Sequence, residues 1–343
     1  MSSDSIEQRL TPLQRDLGEG FTVRRALPVQ QRRTVGPFVF FDRMGPADLE
    51  VGRGLDVRPH PHIGLATVTY LFEGSLLHRD SLGNAQLIRP GEVNWMIAGR
   101  GIVHSERTPP QSRHAASRLS GIQLWVGLPR ADEQMPPRFA HHGAAGLPLL
   151  EYAGVRLRLI LGTLSGARSP VETLSPLFYA DAELAPDAVL ELEAEHEERA
   201  VFVSEGSLRV DGESFAAGHM LVLRSGRRVR LQASQRGGAT GAGATGEGAT
   251  GEGATGAGAT GATGAAGAAG ARLLLLGGAP LDGARYLWWN FVASSREQLQ
   301  RAAEAWRTGR FDPVPGESEF IPLPDKPLPP PMSAEQSSPA QRP

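Results

Sequence analysis

The chain is patterned in short apolar runs rather than long amphipathic stretches. Runs rich in Val, Leu, Ile, Phe and Tyr cover 66–72, 85–88, 122–126, 156–161, 201–203 and 220–223. Gly, Pro, Asp and Asn separate them. Short strands punctuated by turns predict an all-β sandwich or barrel. One helix is marked near the end. Ser294-Ser295-Arg296-Glu297 reads as a capping box with Ser294 as N-cap. Leu299, Ala302, Ala303 and Trp306 follow at helical spacing and Gly309 is a natural stop, which predicts a helix over 295–308.

Two segments depart from this pattern. Residues 237–271 are a low-complexity run of Gly, Ala and Thr with two glutamates and no proline, so a collagen-like triple helix is excluded. Nothing in it can bury a core, and it is expected to be disordered. It lies between the strand-like runs RRVRLQA and ARLLLLG. That placement predicts an expansion inside one hairpin loop, where closure cost grows only logarithmically with length. The second segment is a C-terminal extension, 311–343, ending in a proline-rich tail.

A weak internal repeat aligns Glu73-Gly74-Ser75-Leu76 with Glu205-Gly206-Ser207-Leu208, and Gly91 with Gly218. It predicts two similar β domains in tandem, 1–145 and 146–310. The chain's 343 residues and 40% hydrophobic content are enough for two cores. Its 35 basic residues against 37 acidic ones argue against a general nucleic-acid binder. Cysteine is absent, which excludes disulfides, thiolate metal sites and a cysteine nucleophile. No apolar run approaches the ~20 residues of a membrane helix, and the polar first twenty residues lack a signal-peptide pattern. A soluble, cytoplasmic protein is expected.

The candidate chemistry is concentrated between Arg58 and Glu106. His60 and His62 stand two apart beside a strand-like run, and residues i and i+2 of a strand point to one face. His104 and Glu106 repeat that spacing some forty residues later. If the two segments are neighbours in a barrel, three imidazoles and one carboxylate converge. That donor set leaves positions open on an octahedral ion and suits Fe(II), Mn, Ni or Cu, with Zn also admissible. It differs from a closed, thiolate-rich structural zinc site. Weaker candidates are His78 and Asp80 as supporting groups or hairpin residues, and Trp95, Met96 and Gln123 as pocket lining. Arg100 is a possible anion contact. His141 and His142 read as a solvated linker. Trp288 and Trp289 read as packing for the helix against the second domain.

At these residues the sequence resembles the pirin family of the cupin superfamily. The matching text is VGPFVFFDRMGPA from Val35, RPHPHIGLATVTYLFEGSLLHRDSLGN from Arg58, PGEVNWMIAGRGIVHSERT from Pro90 and, farther on, GIQLWVGLP and WWNFVASSREQL. The resemblance implies two cupin domains, the first holding one metal ion, with Fe(II) foremost, on His60, His62, His104 and Glu106. Cupins usually place an acid ligand four or five residues past the second histidine, but Ala66 and Thr67 stand there. Many pirins carry glutamate at the position of Ala66, so a contact near the ligands is expected to differ. The second domain reads as degenerate. Leu231 occupies the place of His104, and His196 with Glu198 offers only an i, i+2 pair in a charged, turn-like stretch.

Two functions follow from the resemblance. One is a metal-dependent dioxygenase of the quercetin 2,3-dioxygenase kind, opening a flavonol ring with O2, with Glu106 accepting the substrate proton. The other is a non-catalytic, iron-containing regulator that binds a transcription factor or a metabolic enzyme. A substrate-sized, apolar pocket over the metal would favour the first. Expected partners are thus a small aromatic substrate or a regulatory protein, and the chain is expected to be a monomer.

Overall fold

A computed structural model describes residues 4–16, 21–234 and 270–328. Two β domains stand in tandem, as the internal repeat predicts. In the first, a seven-stranded sheet runs in the order Arg138–His142, Val93–Ile97, Leu65–Glu73, Ser117–Gly127, Phe38–Leu49, Thr22–Leu27, Leu13–Asp16. A four-stranded sheet, ordered Asp56–His62, Ile102–Arg107, Leu76–Asp80, Ala85–Ile88, packs on it. Phe21, Val23, Met44 and Leu71 meet Leu55, Leu76 and Ile88 between the two sheets. The second domain is built on an eleven-stranded sheet whose central strands are Glu198–Val210, Ala271–Gly278 and Leu177–Leu184.

The strands Phe38–Leu49 and Leu65–Glu73 begin with unbroken buried runs. Burial on both faces explains why these segments read as continuous apolar text rather than as alternation. One face looks into the first domain. The other, carrying Phe38, Phe41, Val68 and Tyr70, packs on Tyr179, Phe202 and Leu274 of the second. Tyr70 donates its hydroxyl to Asp181 at 3.0 Å across this boundary, and Asp181 also takes two bonds from Arg272.

Each chain end crosses to the opposite domain. Ile6–Leu10 pairs antiparallel with Met220–Leu223 and completes the edge of the second domain's sheet. At the other end, the hairpin Tyr286–Trp288/Phe291–Ala293 and the helix Arg296–Arg307 pack against Ile63. Val292 N–H donates to the Ile63 carbonyl at 3.1 Å.

Several sequence expectations are corrected here. The helix is capped by Ser295, not Ser294: Ser295 Oγ accepts from Gln298 N–H, and Gln298 Oε1 accepts from Ser295 N–H, both at 3.3 Å. The stretch S-S-R-E-Q satisfies the box in two registers. Glu133, which is buried, takes the Ser294 hydroxyl at 2.7 Å and so selects the later one. The strands flanking the low-complexity run are not a hairpin. Val229–Ala233 pairs with Val189–Leu192 and Glu198–Val210, while Ala271–Gly278 pairs with Leu177–Leu184 and Glu198–Val210. Both therefore lie beside one strand, with Ala233 opposite Leu208 and Ala271 opposite Gly206. Ala271 itself is a buried strand residue. The disorder expected for 237–271 falls almost wholly outside the described residues, as does the end of the proline-rich tail.

Candidate metal centre

The two halves of the predicted quartet are on neighbouring antiparallel strands. His60 and His62 close the strand Asp56–His62, and His104 is the direct cross-strand partner of His60. A register shift between His104 and Glu106 turns the strand locally before Glu106. The i, i+2 spacing then does what the pleat dictates, and all four side chains are buried. The rings of His60, His62 and His104 stand 4.5–5.0 Å apart, centroid to centroid. Their nitrogens could all serve one ion. Glu106 belongs to an adjoining group with His104 and His78. In this arrangement its carboxylate accepts the Thr69 hydroxyl at 2.7 Å.

Backbone carbonyls decide which nitrogen of each ring is free. His60 Nδ1 lies 2.8 Å from the Arg58 carbonyl, and His62 Nδ1 lies 3.0 Å from the Asn290 carbonyl. A carbonyl only accepts, so both Nδ1 atoms carry the proton and both Nε2 atoms present lone pairs. His104 is oriented by a longer chain. Asp80 accepts from Leu82 N–H, Asn84 N–H and the Asn84 amide, and faces His78 Nε2 at 3.0 Å. His78 Nδ1 faces His104 Nδ1 at 3.4 Å. With His78 Nε2–H donated to Asp80, His78 Nδ1 accepts from His104 Nδ1–H, and His104 Nε2 is left free as well.

Electrostatics agree with neutral, ligand-ready imidazoles. Burial is the main cause that pushes His60 down to about 4. It also holds His62 and His104 well below their usual value, and neighbouring histidines add to the effect. Burial raises the Glu106 carboxyl, against the opposing Thr69 bond. Burial also works to raise Asp80, but the bonds from His78 and Asn84 outweigh it and its pKa is lowered.

These residues fit a divalent cation. His62 Nε2 and His104 Nε2 face each other at 3.1 Å, each with its lone pair outward. Two imidazoles bound side by side at ~2.1 Å bring their nitrogens about 3 Å apart. A shared cation is what relieves two lone pairs held so close.

A cavity of about 480 Å³ opens beside this centre, bordered by all four residues. Its walls include Phe40 and Trp125, stacked at 4.0 Å, and Trp125 meets His62 edge-on at 5.2 Å. Arg25 lies over Phe40 at 4.3 Å while holding Asp42 through two bonds of 2.7–2.8 Å.

The weaker sequence candidates separate cleanly. Gln123 does border the cavity, but Trp95 and Met96 are core residues. Arg100 is exposed. His141 and His142 are not a linker. They lie in the strand Arg138–His142, paired with Val93–Ile97, and Phe139 of that strand stacks on His78 at 4.4 Å. Ala66 points into the interdomain core, whereas Thr67 and Thr69 alternate to the other face. The missing acid ligand therefore has no counterpart in the ligand shell at that position. His196 is buried rather than solvated, bonded to the Thr163 carbonyl at 2.8 Å and packed on Phe178. Glu198 turns the other way, to Arg32 and Gly36 N–H. Leu231 is part of the apolar filling of the second domain. Trp288 and Trp289 both pack in the helix cluster, as expected, but the cluster closes on Ile63 of the first domain rather than on the second, and Trp289 also borders the cavity.

Comparison with known proteins decides the family. The family model described as Pirin matches residues 20–126, and that described as Pirin C-terminal cupin domain matches 179–240 and 254–312. The chain belongs to the pirin family. This pirin is 42% identical over 315 residues to a "Pirin-like protein" of Caulobacter vibrioides, covering 91% of the chain and 96% of the relative. It is 39% identical over 320 residues to a "Putative quercetin 2,3-dioxygenase" of Pseudomonas aeruginosa, covering 91% and 89%. Among solved structures, a quercetin 2,3-dioxygenase from Acinetobacter baumannii superposes with a TM-score of 0.77 at 32% identity, covering 93% of this pirin and 95% of that chain. Among its described residues, no helix is long and apolar enough to cross a membrane.

Proposed function

We propose that this pirin is a metal-dependent dioxygenase that opens the ring of a flavonol such as quercetin with O2. The observation that carries this reading is the cavity: it is bordered by the three histidines and Glu106 and has aromatic walls suited to a planar substrate. Relatives named as quercetin 2,3-dioxygenases support it. The same cavity favours the enzyme over the non-catalytic regulator, which needs no opening above its metal.

His60, His62 and His104 would hold one divalent ion through Nε2, with Glu106 the nearest anionic donor. Fe(II) is the first expectation, and Mn, Ni, Cu or Zn fit the same donors. A bound ion would supply Lewis-acid stabilisation of the substrate's oxyanion and a redox partner for O2. Glu106 takes the proton of the flavonol 3-hydroxyl, and its raised pKa makes it a stronger base than a solvated carboxylate. Thr69 holds that carboxylate in place. Phe40 and Trp125 orient the ring and exclude water. Both oxygen atoms of O2 enter the ring-opened ester, and one ring carbon leaves as carbon monoxide. Metal analysis of the purified protein, then O2 uptake with quercetin by the loaded form, tests the reading. A metal-loaded protein that consumes no O2 with any flavonol would end it.

A further inference from the structure

We infer that Trp289, delivered from the chain's C-terminal crossover, is a specificity-determining residue that gives the cavity its affinity for planar aromatic ligands. The inference rests on the cavity being the substrate site. It goes further by assigning ligand selection to a residue outside the metal-bearing domain.

Three observations converge on this side chain. Trp288 pairs with Phe291, so Trp289 and Asn290 are a two-residue hairpin loop. Trp289 is in the left-handed region, with φ at 54°. In two-residue hairpin loops that region belongs to Gly, Asn or Asp, and a bulky residue there is under backbone strain. Strain of this kind persists only where surrounding structure enforces it, and it clusters at ligand sites. Second, Asn290 is tied to the metal centre, because its carbonyl accepts the His62 Nδ1 proton at 3.0 Å. The loop tip is thereby fixed against the ligand set, and its other residue cannot drift. Third, Trp289 is half-buried, borders the cavity and meets Phe291 edge-on at 5.4 Å. Packing on Phe291 steadies the indole from behind.

The cavity thus has aromatic surface from two sources. Phe40 and Trp125 come from the first domain's sheet, and Trp289 arrives on a segment more than 160 residues away in sequence. A glycine would satisfy the loop's backbone better. The ring packs on the helix cluster on one side and, where it borders the cavity, offers a large, rigid, apolar face for a flat ligand. A planar, multi-ring aromatic is the ligand class, with or without the hydroxyl that would enter the reaction.

The test is binding, kept apart from turnover. Trp289→Gly and Trp289→Phe are compared with wild type in the metal-loaded protein, using quercetin without O2 and a flavone that lacks the 3-hydroxyl. Calorimetric titration gives Kd, and metal content and Tm are measured alongside. The expected result is one metal per chain in all three proteins, with any change in Tm of Trp289→Gly reporting only the balance of relieved backbone strain and lost packing on the helix cluster. Both ligands should bind Trp289→Gly roughly tenfold more weakly, and Trp289→Phe should restore most of the loss. Unchanged Kd in Trp289→Gly overturns the inference. So does loss of metal with no separate effect on Kd per loaded site, which would make the loop tip a support for His62 alone. Failure of the wild type to bind either ligand overturns it too. If the Kd pattern appears while wild type consumes no O2 with quercetin, the inference stands and the dioxygenase reading falls.

Discussion

His78 Nδ1 stands 3.4 Å from His104 Nδ1, and with both rings neutral one placement of protons satisfies them. Asp80 takes the proton on His78 Nε2, so His104 must donate from Nδ1 and expose Nε2. His78 would therefore act on a bound metal through His104. Such orienting partners typically contribute 10–100-fold in metal affinity. His78→Ala should weaken metal binding by about that factor while the three facing imidazoles remain. Asp80→Asn should weaken it less, because an amide oxygen can still accept from His78. Competition against a chelator of known affinity measures both. A His78→Ala protein with wild-type affinity would remove His78 from the site.

His104→Ala should have the larger effect, since it deletes a donor outright. Metal content after dialysis should fall more than tenfold, with the fold retained by circular dichroism. Glu106→Gln separates holding from chemistry. It keeps the shape and the Thr69 contact but removes the anion and the base. Metal should be retained more fully than in His104→Ala, and O2 uptake with quercetin should drop by about 10²-fold or more. Equal O2 uptake in Glu106→Gln and wild type would show that another group takes the proton.

The second domain should contribute no ligand. His196 is committed to the Thr163 carbonyl, and Glu198 to Arg32 and Gly36. His196→Ala should lower stability by about 1–3 kcal/mol, through a buried carbonyl left without its donor. Glu198→Ala should cost a similar amount, because Arg32 is only 2% exposed and would keep Glu7 as its carboxylate partner. Both variants should retain one metal per chain. Denaturant midpoints and metal analysis on the same samples check this. Loss of metal from either protein would move the site.

The convergence of the three histidines was legible in the sequence because its logic is local. Two i, i+2 pairs need only the strand period and one register, that of His60 opposite His104, to meet. The roles of His78 and Asp80 needed a further register, Asp80 opposite His104, which no sequence spacing expresses. Their inward alternation with Leu76 was the available signal. Trp289 shares the helix packing of its neighbour Trp288, and nothing in the sequence marks that it also borders the cavity. Which of two adjacent tryptophans faces the cavity depends on a loop conformation that runs against residue preference. The exchange of chain ends was also invisible. Ile6–Leu10 reads as any short strand, and its partner lies more than 200 residues away.

The described flanks of the low-complexity run also permit a test. Ala233 and Ala271 lie opposite Leu208 and Gly206 of one strand, so the ends to be joined are neighbours. Deleting 237–267 should leave Tm within a few degrees of wild type and metal content unchanged, because shortening a loop changes closure entropy only logarithmically. Gly270 and Ala271 must be kept. A Cβ on Gly270 would come within 2.1 Å of the Leu184 carbonyl, and Ala271 is paired in the sheet. A drop in Tm of ten degrees or more on deletion would show that the run packs against the domain.

The metal-free protein should lose stability in mild acid, and the direction follows from the buried imidazoles. His60 titrates at about 4 in the folded state, against 6.5 when exposed. His62 and His104 are lowered too. Between the two values the unfolded chain binds protons that the folded chain refuses. Stability is therefore full above about pH 6.5 and declines as pH falls toward 4, by up to about 3 kcal/mol for His60 alone. Glu106 opposes this, because a carboxyl whose folded pKa is raised is protonated first in the folded state and gains stability as pH falls. Asp42 and Glu198, whose carboxyls burial also raises, share that sign. Other carboxylates titrate in the same range, so the informative quantity is a difference. Tm of metal-free wild type should fall more steeply from pH 7 to 5 than Tm of metal-free His60→Gln, which carries no titrating ring at that position. Equal slopes would mean that His60 is hydrated and protonated as readily in the folded protein as in the unfolded chain.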